Sequence, residues 1–255
     1  MNPATIASIV FVCVFGGAVV GMLLRAIMPE HHLSEESRDV IKLGMGLIAT
    51  IAALVLGLVI ATAKSTYDLQ DSAVKHAAAK IIRLDRVLAQ YGPEANQARE
   101  ALRHTVALRI DEIWPEERSQ TGKMNTSGVI PVVGHDGIDS TISRLEPRTD
   151  AQAAIKKRAF KIGGDIMETR WFVQGGAGNS VPVPFLVVVV FWLTIIFMSF
   201  GIFAPRNATV VAVLFVCAIS VACAIFLILE MDQPFKGIMK ISSAPMRFAL
   251  SQLGQ

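Results

Sequence analysis

The sequence has little charge. Only 18% of its 255 residues are charged, whereas soluble domains usually carry about a quarter. The shortage is local, because a few long stretches hold almost no charged residue and the middle of the chain holds most of them. Together with 53% hydrophobic residues and a mean hydropathy of +0.51, this distribution disfavours an ordinary soluble protein. It indicates that lipid replaces water around the apolar stretches.

Several functional signatures are also missing. The net charge is only +3 and no basic stripe with interleaved aromatics occurs, so we expect no nucleic acid partner. The cysteines Cys13, Cys217 and Cys223 lie in apolar runs, where they act as small hydrophobes, and we expect no disulfide framework and no metal site. No glycine-rich loop opens a helix, and His135-Asp136 has no matching nucleophile. We therefore expect neither an enzyme nor a cofactor.

What the sequence does contain is four apolar runs of about 20 residues, at 6–24, 43–63, 181–204 and 207–229. Each is long enough to cross a hydrocarbon core of about 30 Å as a helix. The first is too long for the core of a signal peptide and has no basic segment before it, so we interpret it as a retained helix.

The last two runs are separated by a tight turn. Pro205 ends the third span, and Asn207 is a candidate N-cap for the fourth, which predicts an antiparallel hairpin. Arg206 lies in this turn. It is either an anchor that reaches the membrane surface or a functional charge at the mouth of a pore.

The predicted fold is an all-α integral membrane protein with two spans, a soluble helical insert and two further spans. Residues 1–64 hold the first two spans, 65–180 the insert, 181–232 the hairpin, and 233–255 an amphipathic tail suited to the membrane surface or a neighbouring subunit. No Pro or Gly interrupts residues 58–91, so we expect the second span to continue into the insert as one rod. A glycine- and serine-rich stretch near 119–143 predicts a loop.

Four spans place both termini and the insert on one side. That side has five basic residues near the span ends and the other has four, which favours a cytoplasmic insert and cytoplasmic termini. The first span favours the opposite orientation, since Arg25 follows it and no basic residue precedes it.

The second span carries the most informative pattern, a helix face of small residues ending in a cation: Gly46, Thr50, Ala53, Gly57, Ala61 and Lys64. One interpretation is a packing seam, because small residues let helices approach closely in lipid. The other is a pore lining in an oligomer, with a hydroxyl at Thr50 and an anion-favouring charge at Lys64. The bulky face formed by Leu47, Leu54 and Leu58 then meets neighbours or lipid, or itself forms a hydrophobic constriction.

Two clusters that contain acidic residues are candidate ion sites. Glu30-His31-His32, with Glu35 and Glu36 nearby, resembles a metal cluster only in composition, and we interpret it as a solvated loop. Glu230 and Asp232 end the fourth span, where carboxylates oppose the helix dipole. We interpret them as a solvated helix end or mouth charges, for which a partner from another segment is worth seeking.

Five stretches spread over nearly the whole chain form a recognisable set: LGMGLIAT at 43–50, LGLVIATAKSTYD at 56–68, FAPRNAT at 203–209, FLILEMDQPF at 226–235 and SSAP at 242–245. Together they resemble the bacterial bestrophin-like family. The layout and the Leu-Gly to Tyr-Asp stretch are also distantly similar to bestrophins. After Tyr67-Asp68, however, this chain has Leu69-Gln70-Asp71 where bacterial bestrophins have Arg-Trp-Trp.

The resemblance implies a homo-oligomeric, anion-conducting channel in a bacterial inner membrane, with the pore lined by the second span. Its partners would be the lipid bilayer, further copies of the chain and small inorganic anions. The alternative from a different class is a non-conducting scaffold or sensor that recruits a partner through the insert.

Overall fold

The computed structural model describes residues 2–27, 35–115, 137–175, 183–205, 207–235 and 237–255. Within these ranges every regular element is helical and no strand occurs. A short 3-10 turn occupies Pro93–Ala95, and the α-helices are α1 (Pro3–Ile27), α2 (Glu35–Tyr91), α3 (Asn96–Ile113), α4 (Gly137–Ser143), α5 (Asp150–Gly175), α6 (Val183–Phe203), α7 (Ala208–Met231) and α8 (Ala244–Gln252).

The helices α1, α2, α6 and α7 are long and apolar enough to cross a membrane. They coincide with the four predicted apolar runs, and the ends of α1, α6 and α7 fall within three residues of the predicted ends. The predicted rod is confirmed, since α2 is one helix of 57 residues. It ends at Tyr91 because Gly92 adopts φ 119°, a conformation that favours glycine, and Pro93 follows.

The chain divides into two compact units. The apolar-helix unit comprises Met1–Tyr67 and Gly178–Met239, and the insert unit comprises Asp68–Ala177 and Lys240–Gln255. The helix α2 contributes residues to both. The tail therefore groups with the insert, whereas the sequence suggested a separate segment on the membrane surface or a neighbouring subunit.

In the apolar-helix unit, α1 packs closely against α6. The carbonyl of Met198 lies where a side chain at Gly21 would stand, and the carbonyl of Ala18 does the same at Gly201. A methyl group at either glycine would force the two backbones apart. Glycine thus permits the close helix approach that drives association in lipid.

The same unit has a continuous apolar core. Val10, Val14 and Ala18 of α1 meet Phe197 of α6 and Ile225 of α7. α1 therefore contacts both α6 and α7 and joins them in one core.

The hairpin turn differs from the prediction in one detail. Asn207 occupies the N-cap position of α7, but its side chain makes no capping hydrogen bond. Its backbone carbonyl instead accepts from the amides of Val210 and Val211. On the other side of the turn, the Arg25 guanidinium donates to the carbonyl of Ala204 and satisfies the end of α6.

The insert unit has its own core, formed by the end of α2 with α3. Leu84, Leu88 and Leu102 are fully buried. Among them lies the buried carboxylate of Asp85, which accepts from Nε and Nη2 of Arg99 at 2.8 and 2.9 Å. These hydrogen bonds raise the pKa of Arg99 and compensate the charge that folding removes from water.

The tail packs onto this core. The Gly254 amide donates to Oδ2 of Asp85 at 3.4 Å, and Nε1 of Trp114 donates to the Ile241 carbonyl at 2.8 Å. Met246 and Ala249 of α8 are buried. In the stretch predicted to be a loop, the described residues 137–143 form α4.

Candidate functional site: the exposed faces of helix α2

The apolar half of α2 (residues 43–63) is covered very little by the rest of its own chain. Only 6% of its most apolar stretch is buried, against 28% in each of α1, α6 and α7. All four helices have similar hydropathy, so the difference in burial reflects how many neighbouring helices of the same chain pack against each one. An apolar helix without partners in its own chain must find them in lipid or in other chains.

One narrow face of this half does pack inside the apolar-helix unit. Ala63 is buried against Ile228 and Met231 of α7, and Leu56 and Val59 lie at the edge of this cluster. The contact holds α2 to α7 along a single line. It leaves more than half of the helix circumference open.

The small-residue face lies about 100° from the packed face, since Ala53 is one helical step beyond the buried Ala52. All six residues predicted to line a pore are exposed: Gly46, Thr50, Ala53, Gly57, Ala61 and Lys64. A methyl group added at Gly46 or Gly57 would meet no atom within 4 Å. Within one chain, therefore, these glycines are not required for packing, unlike Gly21 of α1.

The leucine face lies one further helical step around. Leu47, Leu54 and Leu58 are 64%, 71% and 62% exposed. The two faces are adjacent, and the named residues of both are exposed in the single chain. A single chain thus presents both candidate surfaces that the sequence left open.

Polar groups on the small-residue face are few. The Thr50 hydroxyl donates to the Gly46 carbonyl at 2.9 Å, so its oxygen presents lone pairs and not a proton to anything passing along this face. The Lys64 ammonium, at the end of the face, lies 5.9 Å from the ring centroid of Tyr67. Lys64 is accordingly the group of this face that can attract an anion.

The predicted mouth charges have a different geometry. Glu230 is 5% exposed and is not a solvated helix end. Its Oε2 accepts from the amides of Ile238 and Met239 at 2.6 and 3.4 Å. Gly237 turns the chain there with φ 91°, and a side chain at this position would run into the Glu230 carboxylate. Glu230 therefore organises the segment after α7.

The remaining candidates divide by where they lie. Asp232 is half-buried at the end of α7 and takes part in an interaction. Arg206 and the Glu30-His31-His32 segment lie outside the described residues. In the part of the chain that the structure describes, no group of three or more His, Cys, Asp or Glu is arranged to hold a metal ion.

Sequence reasoning missed two features of this unit. One is the pair of backbone amides that donate to the Glu230 carboxylate. Their only sequence signal is the glycine seven residues after Glu230. The other is an apolar groove between α2, α6 and α7, which arises from three segments distant in sequence and has no local signature.

Comparison with known proteins gives one match. A family model described as Bestrophin-like domain matches residues 12–246, which is most of the chain. No curated protein and no solved structure matches.

Proposed function

The chain belongs to the bestrophin-like family, and on that premise we propose that it is a membrane protein whose copies assemble around α2 to form an ion channel. The observation that carries this proposal is the exposure of all six small-face residues of α2. The family resemblance supports the same helix as the pore lining.

Membrane insertion is supported by the surface of the apolar-helix unit. Large apolar side chains are exposed on all four long helices, including Val12 of α1, Leu54 of α2, Phe191 of α6 and Val216 of α7. In water such an extended apolar surface would drive aggregation, whereas lipid tails cover it without cost. We place the protein in a bacterial inner membrane with the insert and both termini in the cytoplasm, as the basic residues near the span ends favour.

Assembly is supported by the two open faces of α2. In lipid, association depends on close packing and on polar contacts, because leucine gains nothing by leaving the lipid tails. A ring of α2 helices places the small-residue face toward a shared axis and the leucine face against neighbours or lipid. The small residues leave room for a path, and Lys64 places a positive charge at one end of it.

Anion preference is the finer part of the proposal. A cation near a pore mouth raises the local concentration of anions and lowers that of cations. The Thr50 proton is already donated to Gly46, so Lys64 supplies the selectivity.

Recording of currents from the purified full chain in planar lipid bilayers tests the proposal. We expect discrete current steps and, in a KCl gradient, a reversal potential close to the equilibrium potential of chloride. Lys64→Glu should move the reversal potential toward that of potassium. The control Lys75→Glu makes the same charge change in the insert unit and should leave it in place.

Absence of current from well-folded protein, under several salts and pH values, would contradict the channel. That outcome would favour the alternative, a scaffold or sensor that recruits a partner through the insert. An unchanged reversal potential in conducting Lys64→Glu would remove only the role of Lys64.

A further inference from the structure

The groove between α2, α6 and α7 has a cavity volume of about 510 Å³, within the range of about 300–1,000 Å³ typical of small-ligand sites. Its walls are apolar, with Met45 and Ala49 on α2, Phe200 on α6 and Leu214 on α7. A chain of methylene groups is the kind of ligand that such walls accept, because Ser199 and Lys42 are the only polar side chains among the lining residues.

One end of the groove is cationic. Lys42 lines it and is the last residue before the apolar half of α2. Ala204 also lines it, and its carbonyl accepts from the Arg25 guanidinium, which brings a second positive charge to the same end. Lys42 pairs with the carboxylate of Asp39 at 3.1 Å. Both of these side chains are more than half exposed, so the pair is weak and an anion can compete with it.

The position of this end matches that of a lipid headgroup. It lies where α6 ends and α7 begins, at the boundary of the apolar runs. Lys and Arg at such boundaries attract anionic lipids and extend toward the headgroups. The groove therefore combines apolar walls with a cationic end at headgroup depth, which is complementary to an anionic amphiphile.

We propose that the groove binds one acyl chain of an anionic phospholipid, with the lipid phosphate held by Lys42 and Arg25. The proposal rests on the membrane insertion contained in the proposed function, and it is independent of ion conduction. Gly46 borders the groove, so at this end of the small-residue face the neighbour of α2 is the acyl chain, and the other five residues of the face are left to line the ion path.

Native mass spectrometry of the full chain in detergent tests this site, with phosphatidylglycerol and phosphatidylcholine of identical acyl chains as probes. We expect wild-type protein to retain phosphatidylglycerol preferentially. Lys42→Gln should weaken phosphatidylglycerol binding about fivefold, the contribution of one basic residue near an anionic surface. It should weaken phosphatidylcholine binding less, because the choline cation already offsets the phosphate charge. Asp39→Asn should strengthen phosphatidylglycerol binding, because Lys42 loses its competing partner.

Filling the groove provides the second arm. Ala49→Phe should abolish retention of the bound lipid. The matched control Ala212→Phe adds the same ring at an exposed position of α7 and should retain it. Because Lys42 is exposed, Lys42→Gln folds and keeps the test decisive even where Ala49→Phe fails to fold.

Equal retention of the two lipids by wild type, or full phosphatidylglycerol retention by Lys42→Gln or folded Ala49→Phe, would overturn the proposal. A change of oligomer size in Ala49→Phe without a change in lipid retention would assign the groove to a second copy instead. Bilayer recordings on the same preparations separate the two proposals. Lipid-selective protein without current contradicts the channel alone, and conducting protein without lipid preference contradicts the groove site alone.

Discussion

The two halves of α2 belong to one uninterrupted helix but have opposite surroundings. In the insert half (residues 68–91), one stripe of apolar side chains is buried, among them Val74, Ile81, Leu84 and Leu88. In the apolar half, only Ala52 and Ala63 are buried, and leucines stand exposed. The half that is richer in apolar residues is the half that its own chain covers less.

This contrast indicates where each half finds its partners. The insert half is amphipathic and satisfies its apolar stripe inside one chain, as a helix of a soluble domain does. The apolar half has an apolar surface on every side, so it needs lipid or other copies to cover it. Stability of the insert unit is therefore a property of one chain, whereas the function proposed for the apolar half depends on assembly.

Breaking the ion pair of the insert half should have the largest effect. Arg99→Met leaves the Asp85 carboxylate buried without its charged partner, at an expected cost of about 3–5 kcal/mol. Chemical denaturation of the full chain in detergent measures the loss, and hydrogen exchange locates it in α3 and the tail. Arg86→Met, at an exposed position of α2 next to Asp85, is the control and should change stability little. Equal losses in the two variants would contradict the account.

The same truncation in both halves compares them directly. Leu88→Ala removes a fully buried side chain and should cost about 3 kcal/mol. Leu54→Ala removes one that is 71% exposed and should change the stability of a single chain by about 0.5 kcal/mol or less. Denaturation of both variants in detergent checks the difference. A large loss from Leu54→Ala would show that this leucine is covered after all.

A glycine exchange gives a smaller effect and sharpens the contrast between α1 and α2. Gly21→Ala places a methyl group against the Met198 carbonyl, and such overpacking costs about 2 kcal/mol. Gly16→Ala, on the same helix, meets nothing within 4 Å and should be neutral or slightly stabilising, since alanine is the better helix former. Thermal unfolding in detergent distinguishes the two. Equal melting temperatures would mean that α1 and α6 do not approach as described.

Much of this fold could be predicted from local sequence signals. The four apolar helices follow from hydrophobic runs, and the end of α2 follows from Gly92 and Pro93. The position of the tail could not be predicted, because its contacts run to Asp85 and Trp114, more than 100 residues away. The burial of Glu230 was missed for a related reason, since a carboxylate at a helix end gives no sign of the amides that will fold back onto it.

The candidate site was predicted only as a residue pattern. The spacing of Gly46, Thr50 and Ala53 defines a helix face from sequence alone, whereas its exposure depends on which face α7 covers. The buried residues Ala52 and Ala63 mark the face that is covered. They are as small as the residues of the exposed face, so the sequence pattern of the two faces is similar. Two alanine-rich faces of one helix are indistinguishable until their neighbours are in place.

Cysteine accessibility during bilayer recording tests the central claim most directly, that the small-residue face of α2 lines an ion path. In a chain with Cys13, Cys217 and Cys223 replaced by alanine, Ala53→Cys and Leu54→Cys place single thiols on adjacent faces. An anionic methanethiosulfonate reagent should block the current of Ala53→Cys and leave that of Leu54→Cys intact. Block of Leu54→Cys alone, or of neither variant, would contradict the claim.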